Sequence, residues 1–349
     1  MIHTARIDVL ARSMKGLTDE ALLIEDPIDL FYLSKLSVSS GAILIANKEV
    51  FFFLDGRYFD IAKEQVHLHI CHKEELRNVL ETRKLSTIFF DSAKTTVDDL
   101  EKKRKDFPAV QWKGVPFITQ KARYIKDKSE IEKMRKGANL SKEAFQYAVQ
   151  GLFEGVSEKE VAWRYETFCR EHGASSMAFE PIIAFGENSA FPHHRASSRK
   201  LKKNEIVLID VGCVVDAYAS DMTRTFFFGK KDEELEKMLK IVKEAKEKAI
   251  SLCKQGVKLR DLDLAAREVM KRYGQEALFT HSLGHGIGLE THEYPRVTSK
   301  TEEGEDVLQE GAVITIEPGL YLKEKGGIRL EDTLVITQEG CENFYEEFS

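Results

Sequence analysis

The chain is short of cysteine, and the cysteines it has are not placed to act together. The five, Cys71, Cys169, Cys213, Cys253 and Cys341, are odd in number, widely spaced and contain no C-x-x-C pair. That argues against a disulfide framework and a cysteine-held zinc site, and for a reducing compartment. No segment approaches the roughly 20 apolar residues that cross a bilayer. The opening residues, MIHTARIDVLARSMKG, lack an apolar core of signal-peptide length. A cytoplasmic protein with no membrane partner is expected. An excess of positive charge is missing too. The formal net charge is -6, so there is no electrostatic footprint for nucleic acid. Runs such as KKDEELEKMLKIVKEAKEK mix both signs and read as solvated helix surface.

What is present suits a soluble globular protein: 349 residues, 42% hydrophobic and 32% charged. A chain of that length usually divides in two. Residues 1–121 alternate short apolar runs (ALLI, GAILIA, VFFFLD, STIFF) with amphipathic stretches, which reads as a small α/β domain. Residues 122–349 follow a different pattern in which one order of elements occurs twice. Helices over 129–150 and 157–172, the second opened by a Ser157/Glu160 capping box, precede strands from 177 and a strand pair at 205–213 and 218–228. Helices over 232–254 and 258–273 precede strands from 279 and a pair at 311–322 and 326–337. This predicts an α+β domain of two helix-helix-hairpin halves facing each other across a shared site.

Each hairpin carries carboxylates. A turn near Val215 and Asp216 sets Asp210 opposite Asp221. A turn at Lys323 to Lys325 sets Glu317 opposite Glu331. Like charges directly opposed on an antiparallel pair, with Cβ atoms roughly 4.5 to 5.5 Å apart, destabilise it unless a cation lies between them. One such pair alone could share a proton or belong to a salt bridge. Two equivalent pairs, with a histidine in the glycine-broken stretch THSLGHGIGLETHE, point to metal. Three glycines at alternate positions there disfavour a helix and suggest an extended segment, fixing His285 by its backbone. Four carboxylates and one imidazole suit two borderline-hard ions about 3.5 to 4 Å apart. Mn²⁺ is the first choice, with Co²⁺ or Zn²⁺ as alternatives.

The runs DVGCVVDAYASDMTRT, HSLGHGIGLETHEYP, IEPGLY and GIRLEDT resemble the metallopeptidases of the pita-bread (creatinase/aminopeptidase) fold, in the branch of Xaa-Pro aminopeptidases and Xaa-Pro dipeptidases (prolidases). Residues 1–121 resemble that family's creatinase-type N-terminal domain. The resemblance implies Asp210, Asp221, His285, Glu317 and Glu331 as metal ligands. It implies His193 as a catalytic histidine, with His194 adjacent, and gives His292 and His281 places beside the metal site. Glu317 is then the general base, while His193 and His292 bind the carbonyl and the oxyanion; a hydroxide bridging the two ions is the attacking group. Arg329, two residues before Glu331, and Tyr321, four after Glu317, point the same way as those ligands in a strand and would brace them. Arg296 stands where dipeptidases of the family carry an arginine for the proline carboxylate.

The activity expected first is an Xaa-Pro aminopeptidase cleaving peptides with proline at the second position. A prolidase is the alternative, and a non-enzymatic peptide-binding protein on the same fold a remote one. The resemblance also implies a homodimer.

Overall fold

The computed structural model describes residues 2–13, 19–46 and 49–346. The chain divides into two compact units, Met1–Arg123 and Tyr124–Ser349.

The first unit holds strands β1 (Glu20–Ile24), β2 (Ala42–Ala46), β3 (Glu49–Leu54), β4 (His69–His72), β5 (Thr87–Asp91) and β6 (Gln111–Val115). They form one sheet in the order β4-β3-β2-β1-β5-β6. Strands β1, β5 and β6 run parallel, and β1, β2 and β3 antiparallel. Helices α1 (Ile2–Ser13), α2 (Pro27–Ser34), α3 (Phe59–Gln65), α4 (Leu76–Thr82), α5 (Val97–Asp106) and α6 (Ile118–Arg123) belong to the same unit. The runs EALLI and AILIA are buried at every position. That is the signature of central strands covered on both faces.

In the second unit α7 (Lys128–Gln150) starts at Asp127, whose carboxylate accepts from the backbone of Ser129 and Glu130. Helix α8 (Glu158–Glu171) starts at the Ser157/Glu160 capping box, with both reciprocal bonds formed. Then follow β7 (Ser176–Met177), β8 (Ile182–Phe185), β9 (Glu205–Val211), β10 (Cys213–Val215), β11 (Tyr218–Ala219) and β12 (Met222–Phe228). The order repeats with α9 (Glu233–Ile250), α10 (Leu259–Arg272), β13 (Gly284–Gly286), β14 (Glu293–Val297), β15 (Val313–Ile316), β16 (Gly319–Leu322), β17 (Gly326–Arg329), β18 (Asp332–Ile336) and β19 (Cys341–Asn343). The equivalence extends to pairing. β8, β9 and β12 form one antiparallel sheet, and β13, β15 and β18 are neighbours in another. Each half has its own apolar core, one built around α9 and α10, the other around α7 and α8.

Three expectations need correcting. In the first hairpin Asp210 lies opposite Thr223, not Asp221. The turn falls at Asp216 and Ala217, both left-handed at φ 50° and 71°, one residue later than the sequence suggested. The ladder is therefore displaced by two residues. Because side chains alternate with period two, that shift keeps both aspartates on one face. In the second hairpin the register is as expected, but the long strands each break in two. Pro318 offers no N–H to the ladder. Glu331 bridges to Thr223 of the other half instead. The segment from 279 is likewise not a strand until Gly284.

Candidate metal centre

The bridge between Thr223 and Glu331 joins the two hairpins edge to edge. Across it Asp210, Thr223 and Glu331 lie in one row, through the β9-β12 register and then the bridge. The registers on either side of the second break carry the row on from Glu331 toward Glu317. The Glu317 amide donates to Leu283 O at 2.8 Å, bringing this segment beside β13. There the glycines are a steric necessity. A Cβ on Gly284 would stand 2.0 Å from Thr315 O, and one on Gly286 2.4 Å from Tyr294 O. Thr315 Oγ1 accepts the backbone N–H of His285 at 3.1 Å.

These elements enclose a cavity of about 490 Å³ lined by Asp210, Asp221, His285, Glu317 and Glu331, and also by His193, His194, His281, His292, Arg296 and Arg329. Ligand atoms of Asp221, His285 and Glu331 all lie within 4.8 Å of one another. Glu317 Oε1 is 3.4 Å from His285 Nε2. Asp210 lies outside that trio. Its Oδ2 accepts Arg329 Nη2 at 2.5 Å, and neither its Oδ1 nor Oδ1 of Asp221 has a hydrogen-bond partner among the described residues.

Burial, then the neighbouring carboxylates, pushes Asp221 and Glu317 well above the carboxylate range, and burial followed by the charge of Asp210 takes Glu331 to about 8. Burial pulls His285 down to about 3, so its ring is neutral. Its Nδ1–H donates to Gly286 O at 3.0 Å, which leaves the Nε2 lone pair facing the acids. Crowded acids, unpartnered oxygens and an imidazole lone pair at one point form a donor set that fits divalent cations.

Around this set the hydrogen bonds have a defined direction. His281 Nδ1 donates to Ser282 O at 2.8 Å, so Nε2 of the neutral ring accepts from the Tyr321 hydroxyl at 2.9 Å. Burial lowers His281 to about 4 and raises Tyr321 to about 12. The phenol oxygen accepts in turn from Arg329 Nη1 at 2.8 Å. Tyr321 thus stands behind Arg329 and is not in the cavity lining. The His292 ring lies tilted by 43° against that of His285, with 4.1 Å between centroids, and partial burial lowers its pKa.

The two adjacent histidines are differently held. His194 Nε2 is bonded at 2.8 Å to Glu158, a fully buried carboxylate that also takes the N–H groups of Phe185 and Ser197. His193 is exposed and lies close enough to His281 and His292 to interact electrostatically with both. Arg296 lies at the rim, exposed.

Sequence reasoning missed the supports. Thr223 Oγ1 donates to Glu331 Oε2 at 2.6 Å, Thr315 fixes the His285 backbone, and Glu158 claims His194. Thr223 and Thr315 each sit two residues from a ligand candidate, on the same strand face, and that spacing was a readable signal. Glu158, in another helix, gave none.

Comparison with known proteins agrees with this architecture. The model of metallopeptidase family M24 matches residues 132–338, and that of the creatinase/prolidase N-terminal domain matches residues 6–125. An Xaa-Pro dipeptidase of Pyrococcus furiosus is 34% identical over 337 residues, 96% of each chain. An Xaa-Pro dipeptidase structure from Bacillus anthracis superposes with a TM-score of 0.92 at 29% identity, covering 98% of this chain and 97% of that one. An X-Pro aminopeptidase structure from Thermotoga maritima gives 0.86 at 32%, covering 95% and 97%. With paired hairpins, a cation-ready cluster of acids and matches along nearly the whole length, the chain is a pita-bread peptidase belonging to metallopeptidase family M24.

Proposed function

We propose that this protein is an Xaa-Pro dipeptidase that hydrolyses the bond between a first residue and a C-terminal proline. This reverses the preference drawn from the sequence. The observation that carries it is the full-length similarity to proteins named Xaa-Pro dipeptidase. Arg296 at the cavity rim supports it, because a dipeptide presents a proline carboxylate that a cation can hold. The Xaa-Pro aminopeptidase remains the second reading, favoured by the Thermotoga maritima structure.

Asp210, Asp221, His285, Glu317 and Glu331 would hold two divalent ions, with Mn²⁺ the expected metal for a set rich in carboxylates. Bound ions lower the pKa of water toward neutrality and polarise the scissile carbonyl. The remaining chemistry falls to side chains. Glu317 would take a proton from the attacking water at its carboxylate and deliver it to the leaving nitrogen. His193 and His292 donate to the substrate carbonyl as it becomes an oxyanion, a role worth about 3 to 4 kcal/mol per donor. Arg329 holds Asp210 in one orientation, and Tyr321 with His281 holds Arg329. The Xaa-Pro bond is a tertiary amide with no N–H, so the site needs only to protonate that nitrogen. A homodimer in a reducing compartment completes the proposal, and the five free cysteines support the compartment.

Product analysis with Mn²⁺ on Gly-Pro, Gly-Pro-Pro and a longer peptide beginning Arg-Pro tests the reading. Cleavage confined to Gly-Pro is expected. Release of the first residue from the longer peptides would instead establish the aminopeptidase.

A further inference from the structure

The first unit contains a cavity of its own, about 370 Å³ in volume. It lies beside Ile24 and Asp91 at the carboxyl ends of the parallel strands β1 and β5, and is lined further by Pro27 of α2, Lys103 of α5 and Thr119 of α6. Crevices outside the carboxyl ends of parallel strands are the usual ligand sites of open α/β sheets. The volume falls in the range of small-molecule pockets, about 300 to 1,000 Å³.

Its wall carries polar groups whose hydrogen bonding is incomplete. Thr119 is fully buried and its hydroxyl has no partner among the described residues. The Oδ2 atoms of Asp29 and Asp91, residues 1% and 8% exposed, have none either. Their Oδ1 atoms are spoken for. Asp29 Oδ1 accepts Arg123 Nη1 at 2.6 Å, and Asp91 Oδ1 accepts the amides of Ala93 and Phe117 at 2.9 and 3.1 Å. Even with Arg123 beside it, burial raises the Asp29 carboxyl to about 6. Buried polar atoms left unpaired are uncommon in native proteins and call for an explanation.

A metal ion is a poor explanation. Among the described residues the one group of three or more ligand atoms within 4.8 Å of one another is Asp221, His285 and Glu331, in the second unit. Two carboxylate oxygens and one hydroxyl are a thin donor set for a hard divalent ion, which takes six or more oxygens, and they suit the N–H donors of an ammonium group. The lining also offers the opposite charge. Lys94 and Lys103 are 24% and 15% exposed, with Lys94 only 3.8 Å from Asp26 and Lys103 2.9 Å from Glu25. Leu23 and Phe53 add a buried apolar surface.

We propose that this cavity binds a small zwitterion of amino-acid type, its ammonium directed to Asp29, Asp91 and Thr119, its carboxylate to Lys94 and Lys103, and an apolar side chain to Leu23 and Phe53. The site is distinct from the metal centre and owes nothing to the substrate chosen for that centre. The catalytic reading can fail without touching it.

Calorimetric titration of the full chain in chelator-containing buffer with L-leucine, N-acetyl-L-leucine and L-leucinamide provides the test. L-Leucine should bind with one equivalent. Acetylation, which removes the ammonium, and amidation, which removes the carboxylate, should each weaken binding about tenfold or more, the loss of one charge-assisted contact. Thr119→Val deletes an unpartnered hydroxyl at nearly constant volume. The melting temperature of the ligand-free protein should hold or rise, while leucine affinity drops about tenfold. Asp91→Asn serves as the second variant, with the same loss of affinity. His285→Ala, run in parallel, should leave leucine binding intact. Absence of binding to the wild type, full affinity in Thr119→Val and Asp91→Asn, or loss of binding in His285→Ala alone would each overturn the proposal.

Discussion

Replacing Arg296 with glutamine tests which end of the substrate the metal cavity grips. The guanidinium sits at the rim of the cavity and is exposed, while the backbone N–H of the same residue donates to Glu303 at 2.8 Å. The backbone anchor is independent of the side chain, so the substitution should leave the fold unchanged. A hydrogen bond to a charged partner is worth about 1.5 to 3 kcal/mol. Solvent screening at an exposed site reduces an ion pair toward 1 kcal/mol or less. A substrate that covers the rim on binding restores part of that loss, and about 1.4 kcal/mol, or tenfold, is a reasonable middle value. The kcat/KM for Gly-Pro should therefore fall about tenfold in Arg296→Gln. Gly-Pro-amide has no carboxylate to lose, and its slower hydrolysis should change by less than about twofold. Quantifying released glycine by chromatography under first-order conditions measures both. An equal fall on the two substrates would refute the carboxylate contact, and with it the structural support for the dipeptidase reading.

Three further substitutions probe the supports of the centre. Thr223→Val removes the 2.6 Å bond to Glu331 Oε2 and should weaken metal binding about 10- to 100-fold, the usual cost of losing a group that orients a ligand; competition with a chelator reads this directly, and unchanged affinity would contradict it. Gly286→Ala places a methyl group against Tyr294 O, and overpacking of this kind costs about 1 to 3 kcal/mol, visible as a lower melting temperature together with weaker metal binding. Glu158 is held below its ordinary pKa, its hydrogen bonds from Ser197, His194, Phe185 and Asn188 outweighing burial. A carboxyl depressed in the folded state contributes stability present above the unfolded value of about 4.3 and lost as pH falls through the lower folded value. Denaturant midpoints measured from pH 6 to pH 3 should thus fall less steeply in Glu158→Gln than in the wild type, and parallel curves would rule the contribution out.

How far the site could be read in advance depended on which interaction placed each residue. The second hairpin was legible because its turn is marked by Gly326 and Gly327 just after Lys325, and the observed register keeps Gly319 opposite Arg329 and Ile316 opposite Asp332. The first hairpin was misregistered because its turn uses Asp216 and Ala217 at positive φ with no glycine to mark it. The error cost little, since a slip of two residues leaves the side chains on their original face. The glycines around His285 announced a close approach correctly but not what approaches, which is the backbone of Thr315 and Tyr294. The distinction between His193 and His194 was beyond the sequence. It depends on Glu158 in α8 binding His194 from 36 residues away, a tertiary contact with no local pattern. The strand breaks at Pro318 and Glu331 were half visible. The proline was in plain view, but the bridge from Glu331 to the other half was not.

Crystals soaked in Mn²⁺ and measured near the manganese absorption edge test the central claim most directly. Two anomalous peaks are expected between the hairpins, one within reach of Asp221, His285 and Glu331 and shared with Asp210 or Glu317. No peak at that place, with manganese bound elsewhere or not at all, would contradict it.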